Sequence, residues 1–420
     1  MTICGNREFA LLKKIGFVRV SGSQEEKKAA QILLDEIQSI GFEGKEETFT
    51  VTDTFHTEGT LKVLEPYEKT YTVTCYRCCG STPNEGVTAG FAYIEDMLEA
   101  NLVGIEGKLV LVQGRMTPEL YQKLLKAKVA GYLTFSGTIE DKEEETDLPT
   151  PIMRERLTKF GLMPALNIRA KDAMELVRDR ASMVHFTAKS AAETLESRNV
   201  VVTVPGTEMP EQIIAFGAHF DSVPFSTGVY DNGAGSVILM ELLRYFKEHA
   251  PKRTLRFMWY GSEEVGLLGS KAYVEAHREE LEPYQLMINV DVAGAILGTD
   301  SAIVSAEQSL VDYTDYLFKQ AGMAVKVKQD IYSSDSIPFA DAGVPAINFC
   351  RFGAPGTAFI HDRRDTLSFL SAESLEKTTE KILLFSQQMI NAGVLPVPRT
   401  IPQNIVEKID EYLFKEKKEK

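Results

Sequence analysis

Titratable side chains appear where buried strands would otherwise end without them. An apolar run at 212–218 leads into His219-Phe220-Asp221, and a second at 254–260 leads into Gly261-Ser262-Glu263-Glu264. A third, at 286–290, delivers Asn289 and Asp291, while Phe359-Ile360 precedes His361-Asp362-Arg363-Arg364-Asp365-Thr366. Between the first two, a loop reaches Tyr230-Asp231-Asn232-Gly233 at the start of a helical stretch. Polar groups at the ends of buried strands cost free energy unless something compensates them. Imidazoles mixed with carboxylates suit hard-to-borderline divalent ions, and zinc is commonly held this way. A close pair of ions needs a bridging carboxylate, and the doublet Glu263-Glu264 can supply a ligand and a free base from adjacent positions. Asp221, two residues after His219, is placed to accept the other ring N–H and fix the tautomer, and Asp365 offers the same service to His361.

Each signal alone has a plainer reading. A single histidine at a strand end is usually structural, Asp231-Asn232-Gly233 is an ordinary turn and helix start, and Glu263-Glu264 alone is a solvated pair. Their common position after buried strands is what raises them. Cys75-Tyr76-Arg77-Cys78-Cys79 lies in a strand pattern with no second Cys or His pair, so it reads as structural. His56, His185, His249 and His277 read the same way. Gly233-Ala234-Gly235 lacks the third glycine of a dinucleotide fingerprint. No Gly-x-Ser-x-Gly elbow and no His-Glu-x-x-His helix exists, which removes the serine-hydrolase and mono-zinc plans.

These groups need a scaffold that brings strand ends together. After Asn199 apolar strands at 212–218, 254–260, 286–290, 302–304, 324–327 and 344–349 alternate with helices over 233–249, 269–277, 308–321 and 372–392, the pattern of a mostly parallel sheet with helices on its faces. In such sheets ligands gather beyond the carboxyl ends of the strands. A helix at 21–41 and a strand at 44–52 precede this region, and residues 396–420 offer a further amphipathic helix. Residues 53–190 differ: short alternating strands at 70–75 and 87–93, an apolar run at 107–113, a helix over 117–130 and a strand at 132–135. The reading is therefore a catalytic domain made of 1–52 and 191–420, interrupted by an inserted domain at 53–190. The acidic run 140–145 is a solvated loop.

Bulk properties narrow the partners. The 420 residues carry 46 basic and 60 acidic side chains, a net charge of −14, with 44% hydrophobic residues. An acidic chain of ordinary globular composition repels phosphate backbones and anionic lipid, so nucleic acid and membrane are not expected partners. No apolar stretch near the N-terminus resembles a signal peptide, and five cysteines read as free thiols, so a cytoplasmic location is expected.

The ordered set His219-x-Asp221, Asp231-Asn-Gly, Glu263-Glu264, Asn289-x-Asp291 and His361-xxx-Asp365-Thr366 resembles the di-zinc aminopeptidase family that includes aminopeptidase Y and the glutamate carboxypeptidases, over 195–393 and part of the first 50 residues. The resemblance implies an α/β fold, a mixed, mostly parallel sheet flanked by helices, with the β-rich insert similar to a protease-associated lid domain. It implies that His219 and Asp291 hold one zinc, Glu264 and His361 the other, that Asp231 bridges them, and that Glu263 is the general base. The function it implies is a zinc exopeptidase with two ions per chain, in which a metal-bridging water attacks the scissile carbonyl of a peptide. An aminopeptidase is expected, because uncompensated carboxylates attract a cationic amino terminus; the alternatives are a carboxypeptidase of the glutamate carboxypeptidase type and a non-catalytic binding protein on the same scaffold. A homo-oligomer is compatible with all three. Two departures stand out: Ser334-Asp335-Ser336 replaces a family Ser-Asp-His, and Ile360 replaces a tyrosine found in some members, for which Tyr332 is a candidate substitute.

Overall fold

The structure is a computed structural model that describes residues 2–96, 98–114 and 116–415, excluding the side chains of 53–55. It divides into two compact units, Met1–Val51 with Glu196–Lys420, and Thr52–Leu195. The boundaries fall inside two long strands, Lys45–Glu65 and Met183–Val204.

In the larger unit four strands run parallel, in the order Ala346–Gly353, Tyr284–Val290, Met209–His219, Arg253–Tyr260. An antiparallel strand flanks each side. Gly298–Ser305 pairs with Ala346–Gly353, and residues 200–204 pair with Arg253–Tyr260, while Lys326–Gln329 lies parallel beyond Gly298–Ser305. Parallel strands buried on both faces read as unbroken apolar runs, which is why these were visible in the sequence. The register sets the site. Gly217 pairs with Asn289 and His219 with Tyr260, so two residues onward Asp291 stands level with His219 on the neighbouring strand. Glycine is required at 217, where a Cβ would lie 2.3 Å from Met287 and 2.7 Å from Tyr260.

The helices Ala234–Glu248 and Ala372–Asn391 contribute to one core with these strands, including the stacked rings of Phe216 and Phe257 at 4.7 Å. Helix Gln24–Ile40 starts at Ser23, whose hydroxyl accepts the Glu26 N–H, and stops at Gly41 in the left-handed region. The unit Thr52–Leu195 has a separate core, in which Val87–Ile94, Leu109–Val112, Gly131–Ser136 and Ala165–Arg169 run parallel with Val73–Cys75 antiparallel at one edge. Among the described residues no helix is long and apolar enough to cross a membrane.

The first helix, Gly5–Ile15, was not anticipated from periodicity. Its buried face is Leu11, Leu12 and Ile15, but also Glu8, and its first N–H groups are held by Glu241 and Glu376 rather than by a local cap. Glu8 accepts a hydrogen bond from the Thr379 hydroxyl on one oxygen and leaves the other, Oε2, without a partner. Burial pushes its pKa up to about 8. Folding therefore favours the neutral acid, and stability falls as pH rises from the unfolded value near 4.5 toward 8. Glu8→Gln is expected to raise the thermal midpoint at pH 8 to 9, with the gain vanishing below pH 4.5, as scanning calorimetry at several pH values would show. A gain independent of pH would contradict this.

Candidate metal centre

The carboxyl ends of the four parallel strands bring His219, Glu264, Asp291 and His361 to one place, with Asp231 among them. His219 ends its strand wholly buried, and its Nε2 lies 3.2 Å from Asp231 Oδ1 and 3.6 Å from Asp291 Oδ1. His361 Nε2 lies 3.2 Å from Asp231 Oδ2 and 3.0 Å from Glu264 Oε2. The two oxygens of Asp231 thus face two different imidazoles. His361 is the open edge of the group, with a side chain 54% exposed, against 7% for Glu264.

The loops are held by a surrounding layer of hydrogen bonds. Asp221 lies 3.4 Å from His219 Nδ1 and accepts the backbone N–H groups of Glu263 (2.9 Å) and Glu264 (3.2 Å). One carboxylate therefore aligns the glutamate doublet by hydrogen bonds and stands beside the imidazole, whose buried Nδ1 makes no hydrogen bond. The expected role of Asp365 differs from what is found. Its oxygens accept the N–H groups of Tyr230 (2.8 Å) and Asp231 (3.2 Å), so it holds the Asp231 loop, and the partners found for His361 are Asp231 and Glu264. The chain reverses between His361 and Asp365, with the Asp365 N–H bonded to the Asp362 carbonyl, and this turn sends the two side chains different ways. Sequence spacing alone does not reveal such a turn.

Asn232 is a further residue that motif reading passed over. Its amide donates to the Val290 carbonyl at 2.8 Å and accepts from Gly235 and Val292, pinning the Asp231 turn to the strand that delivers Asp291. A Cβ on Gly235 would meet Asn232 Oδ1 at 2.4 Å and the Val290 carbonyl at 2.5 Å, so the helix approaches this closely only with glycine there. The sign in sequence would be the Asn232-Gly233 pair, which reads equally as a plain turn.

Left-handed backbone also concentrates here. Ser262 (φ 59°), Leu267 (62°), Val292 (56°) and His361 (56°) flank the cluster. For β-branched Val292 this is a costly conformation, on the order of 1–3 kcal/mol, maintained by the hydrogen bonds its N–H makes to Asn232 and its carbonyl accepts from Arg351. The strain turns the chain sharply just after Asp291.

Electrostatics follow from crowding. Burial pushes Asp231 upward, but His219 and His361 outweigh it and leave it below the ordinary carboxylate range. Glu264 is raised to about 7 by burial and by Asp231, Glu263 is raised well above its usual value by burial and neighbouring carboxylates, and His361 is raised to about 11 by Asp231 and Glu264. Glu264 Oε1 and Asp291 Oδ1 are buried with no hydrogen-bond partner. Anionic oxygens left this way are costly, and divalent cations compensate them. Among the described residues, His219, Asp231 and Glu264 are a set whose donor atoms lie within 4.8 Å of one another. The donor set fits zinc. His277 instead pairs with Glu47 and Glu280, and His249 stacks on Tyr245. Cys75 and Cys79 lie 3.5 Å apart in the core of the other unit. Tyr332 packs half-buried on Phe352, and burial together with Asp291 keeps its hydroxyl neutral.

Residues 199–386 match Peptidase family M28. The chain is 28% identical over 387 residues to Aminopeptidase YwaD of Bacillus subtilis (strain 168), covering 87% of this chain and 79% of that protein. It is 24% identical over 375 residues to Carboxypeptidase Q of Mus musculus, covering 85% and 79%. The structure of BSAP, a zinc aminopeptidase from Bacillus subtilis, is similar with a TM-score of 0.78 at 21% identity over 96% of this chain and 99% of that one. The aminopeptidase from Aneurinibacillus sp. strain AM-1 gives 0.73 at 23% identity over 94% and 96%. These likenesses show a shared fold, a mixed and mostly parallel sheet flanked by helices.

The raised pKa of His361 has a measurable consequence. At neutral pH its imidazole carries a proton that an incoming metal ion must displace, so apparent affinity for zinc is expected to rise with pH between 6 and 8, about tenfold per unit for each proton released. Competition against a chromogenic chelator at several pH values checks this; affinity independent of pH would refute it.

Proposed function

From the match of residues 199–386 to Peptidase family M28, we propose that the chain is a zinc-dependent aminopeptidase whose centre takes two ions. His219, Asp231 and Asp291 would hold one, and Asp231, Glu264 and His361 the other. The observation that carries this reading is the placement of Asp231, whose Oδ1 faces His219 and whose Oδ2 faces His361, both at 3.2 Å. When bound, zinc supplies Lewis acidity and lowers the pKa of water.

The chain's own groups do the rest. Glu263 follows the Tyr260 strand end, beside the ligands but outside the donor set, and its carboxyl is raised by burial and by its acidic neighbours. A carboxylate of raised basicity is suited to take a proton from the attacking water and return it to the leaving amine. Asp221 fixes its direction through the Glu263 backbone N–H. Substrate enters from the His361 side, the exposed edge of the cluster. The surplus of carboxylates favours a free, cationic amino terminus, in line with the similarity to Aminopeptidase YwaD. A carboxypeptidase is the second reading, supported by the similarity to Carboxypeptidase Q. Within this proposal the unit Thr52–Leu195 is a protease-associated-like insert that bears on substrate selection.

Hydrolysis of aminoacyl p-nitroanilides is expected to require divalent metal and to disappear when the amino group is acetylated; faster release from the carboxyl end of blocked peptides would reverse the polarity. Glu263→Gln should lower kcat by about 10²- to 10⁴-fold while keeping two zinc ions by elemental analysis. Glu264→Ala should lose one ion. The roles would have to be exchanged if Glu263→Gln emptied a site while Glu264→Ala kept both.

A further inference from the structure

The loops that carry the cluster are gripped by a stretch that lies outside the family-matched segment. Residues 19–26 run into helix Gln24–Ile40, and Arg19, at their head, is wholly buried. Its Nε donates to the Phe220 carbonyl, which lies between His219 and Asp221. Its Nη1 donates to the Thr227 carbonyl and to those of Ile15 and Phe17, both at 3.1 Å, and its Nη2 donates to the Gly228 carbonyl at 2.7 Å. The backbone of Arg19 is tied to the same region, since its N–H donates to Ser222 Oγ at 3.0 Å and its carbonyl accepts the Ser222 N–H at 3.2 Å. Two residues on, Ser21 Oγ meets Ser262 Oγ at 2.6 Å, next to Glu263.

A planar guanidinium with five fixed donors can serve several carbonyls at once, which an ammonium on a flexible stem does not. Gly228 is shaped to receive it: φ is +55°, and a Cβ there would stand 3.1 Å from Arg19 Nη2. Burial lowers the Arg19 pKa to about 10, with Asp221, Asp365, Asp231 and Glu264 opposing the fall, so the group remains a cation at neutral pH.

We propose that Arg19 is a positioning residue of the metal centre, its guanidinium clasping the carbonyls of Phe220, Thr227 and Gly228 so that the His219–Asp221 loop and the Asp231 loop keep the spacing that two ions require. This rests on the metallopeptidase reading above. Two effects of Arg19 on a bound cation oppose each other. Its charge repels the ion, whereas its geometry assembles the ligands, so the direction of change on substitution tells which dominates. Arg19→Lys keeps the charge and loses the fork.

The test is zinc affinity of the metal-free protein, measured by competition with a chromogenic chelator, together with the visible spectrum of the cobalt form, far-ultraviolet circular dichroism, and separate kcat and KM. Arg19→Lys is expected to keep the parental dichroism, weaken zinc binding by about 10- to 100-fold, alter the cobalt spectrum and lower kcat more than it changes KM. Arg19→Met should also weaken binding, and tighter binding would show that charge dominates and overturn the proposal. Ser222→Ala, a milder loosening of the same clasp, should shift affinity in the same direction and keeps the test decisive if the lysine variant does not fold. Parental affinity and cobalt spectrum in Arg19→Lys, whatever its melting temperature, would reduce Arg19 to a structural support and overturn this proposal alone. A parental chain that binds no divalent ion would overturn the metallopeptidase reading, and the proposal with it.

Discussion

Buried carboxylates gathered at one end of a sheet repel one another, and the rest of the catalytic unit is organised around that repulsion. Two like charges 4 Å apart at an effective dielectric near 20 cost about 4 kcal/mol, a large fraction of the net stability of a domain. Asp231 meets this cost by lying between two imidazoles, each 3.2 Å away. Asp221 and Asp365 meet it by accepting pairs of backbone N–H groups. Glu264 and Asp291 each keep a buried oxygen with no hydrogen bond at all. The order in which these groups are satisfied separates the carboxylates that shape the loops from those left available to a cation.

The sheet supplies the fixed frame for this arrangement. Parallel register between adjacent strands places His219 and Asp291 level with each other, and the absence of a side chain at Gly217 leaves room for Met287 and the Tyr260 ring beneath them. The loops that follow are less regular and more strained, with left-handed residues at Ser262, Val292 and His361. Strain of this kind persists only where surrounding contacts overdetermine the backbone. Here Asn232 and Arg351 do so for Val292, tying the strain to the same groups that place Asp231 and Asp291.

Burial grades across the cluster. His219 and Asp291 lie deep, while the side chain of His361 is more than half exposed. The gradient gives the site a closed floor and an open edge, so the deep side chains are fixed by the core and the shallow one by a loop. Glu263 and Glu264, adjacent in sequence, share one backbone anchor in Asp221, just after the left-handed Ser262 turns the chain out of the strand.

The sequence by itself determined the alternation of apolar strands and helices and the residues that end those strands. Both are written in local pattern: a short apolar run bounded by turn residues reads as a buried strand, and a histidine or carboxylate at its end costs free energy unless compensated. What it could not show was anything requiring distance between elements. The Tyr230 and Asp231 amides that Asp365 accepts lie 135 and 134 residues away in the chain, and they displace the nearer partner that spacing suggests. The helix Gly5–Ile15 has its N-terminus capped by Glu241 and Glu376, far along the chain, so no cap signal marked it. Arg19 lies in no motif, and its five carbonyl partners emerge only when residues 15–17, 220 and 227–228 are folded onto it. Local chemistry names the candidate ligands, but only tertiary packing decides which charges are neutralised by neighbours, which are held by backbone, and which are left open to an ion.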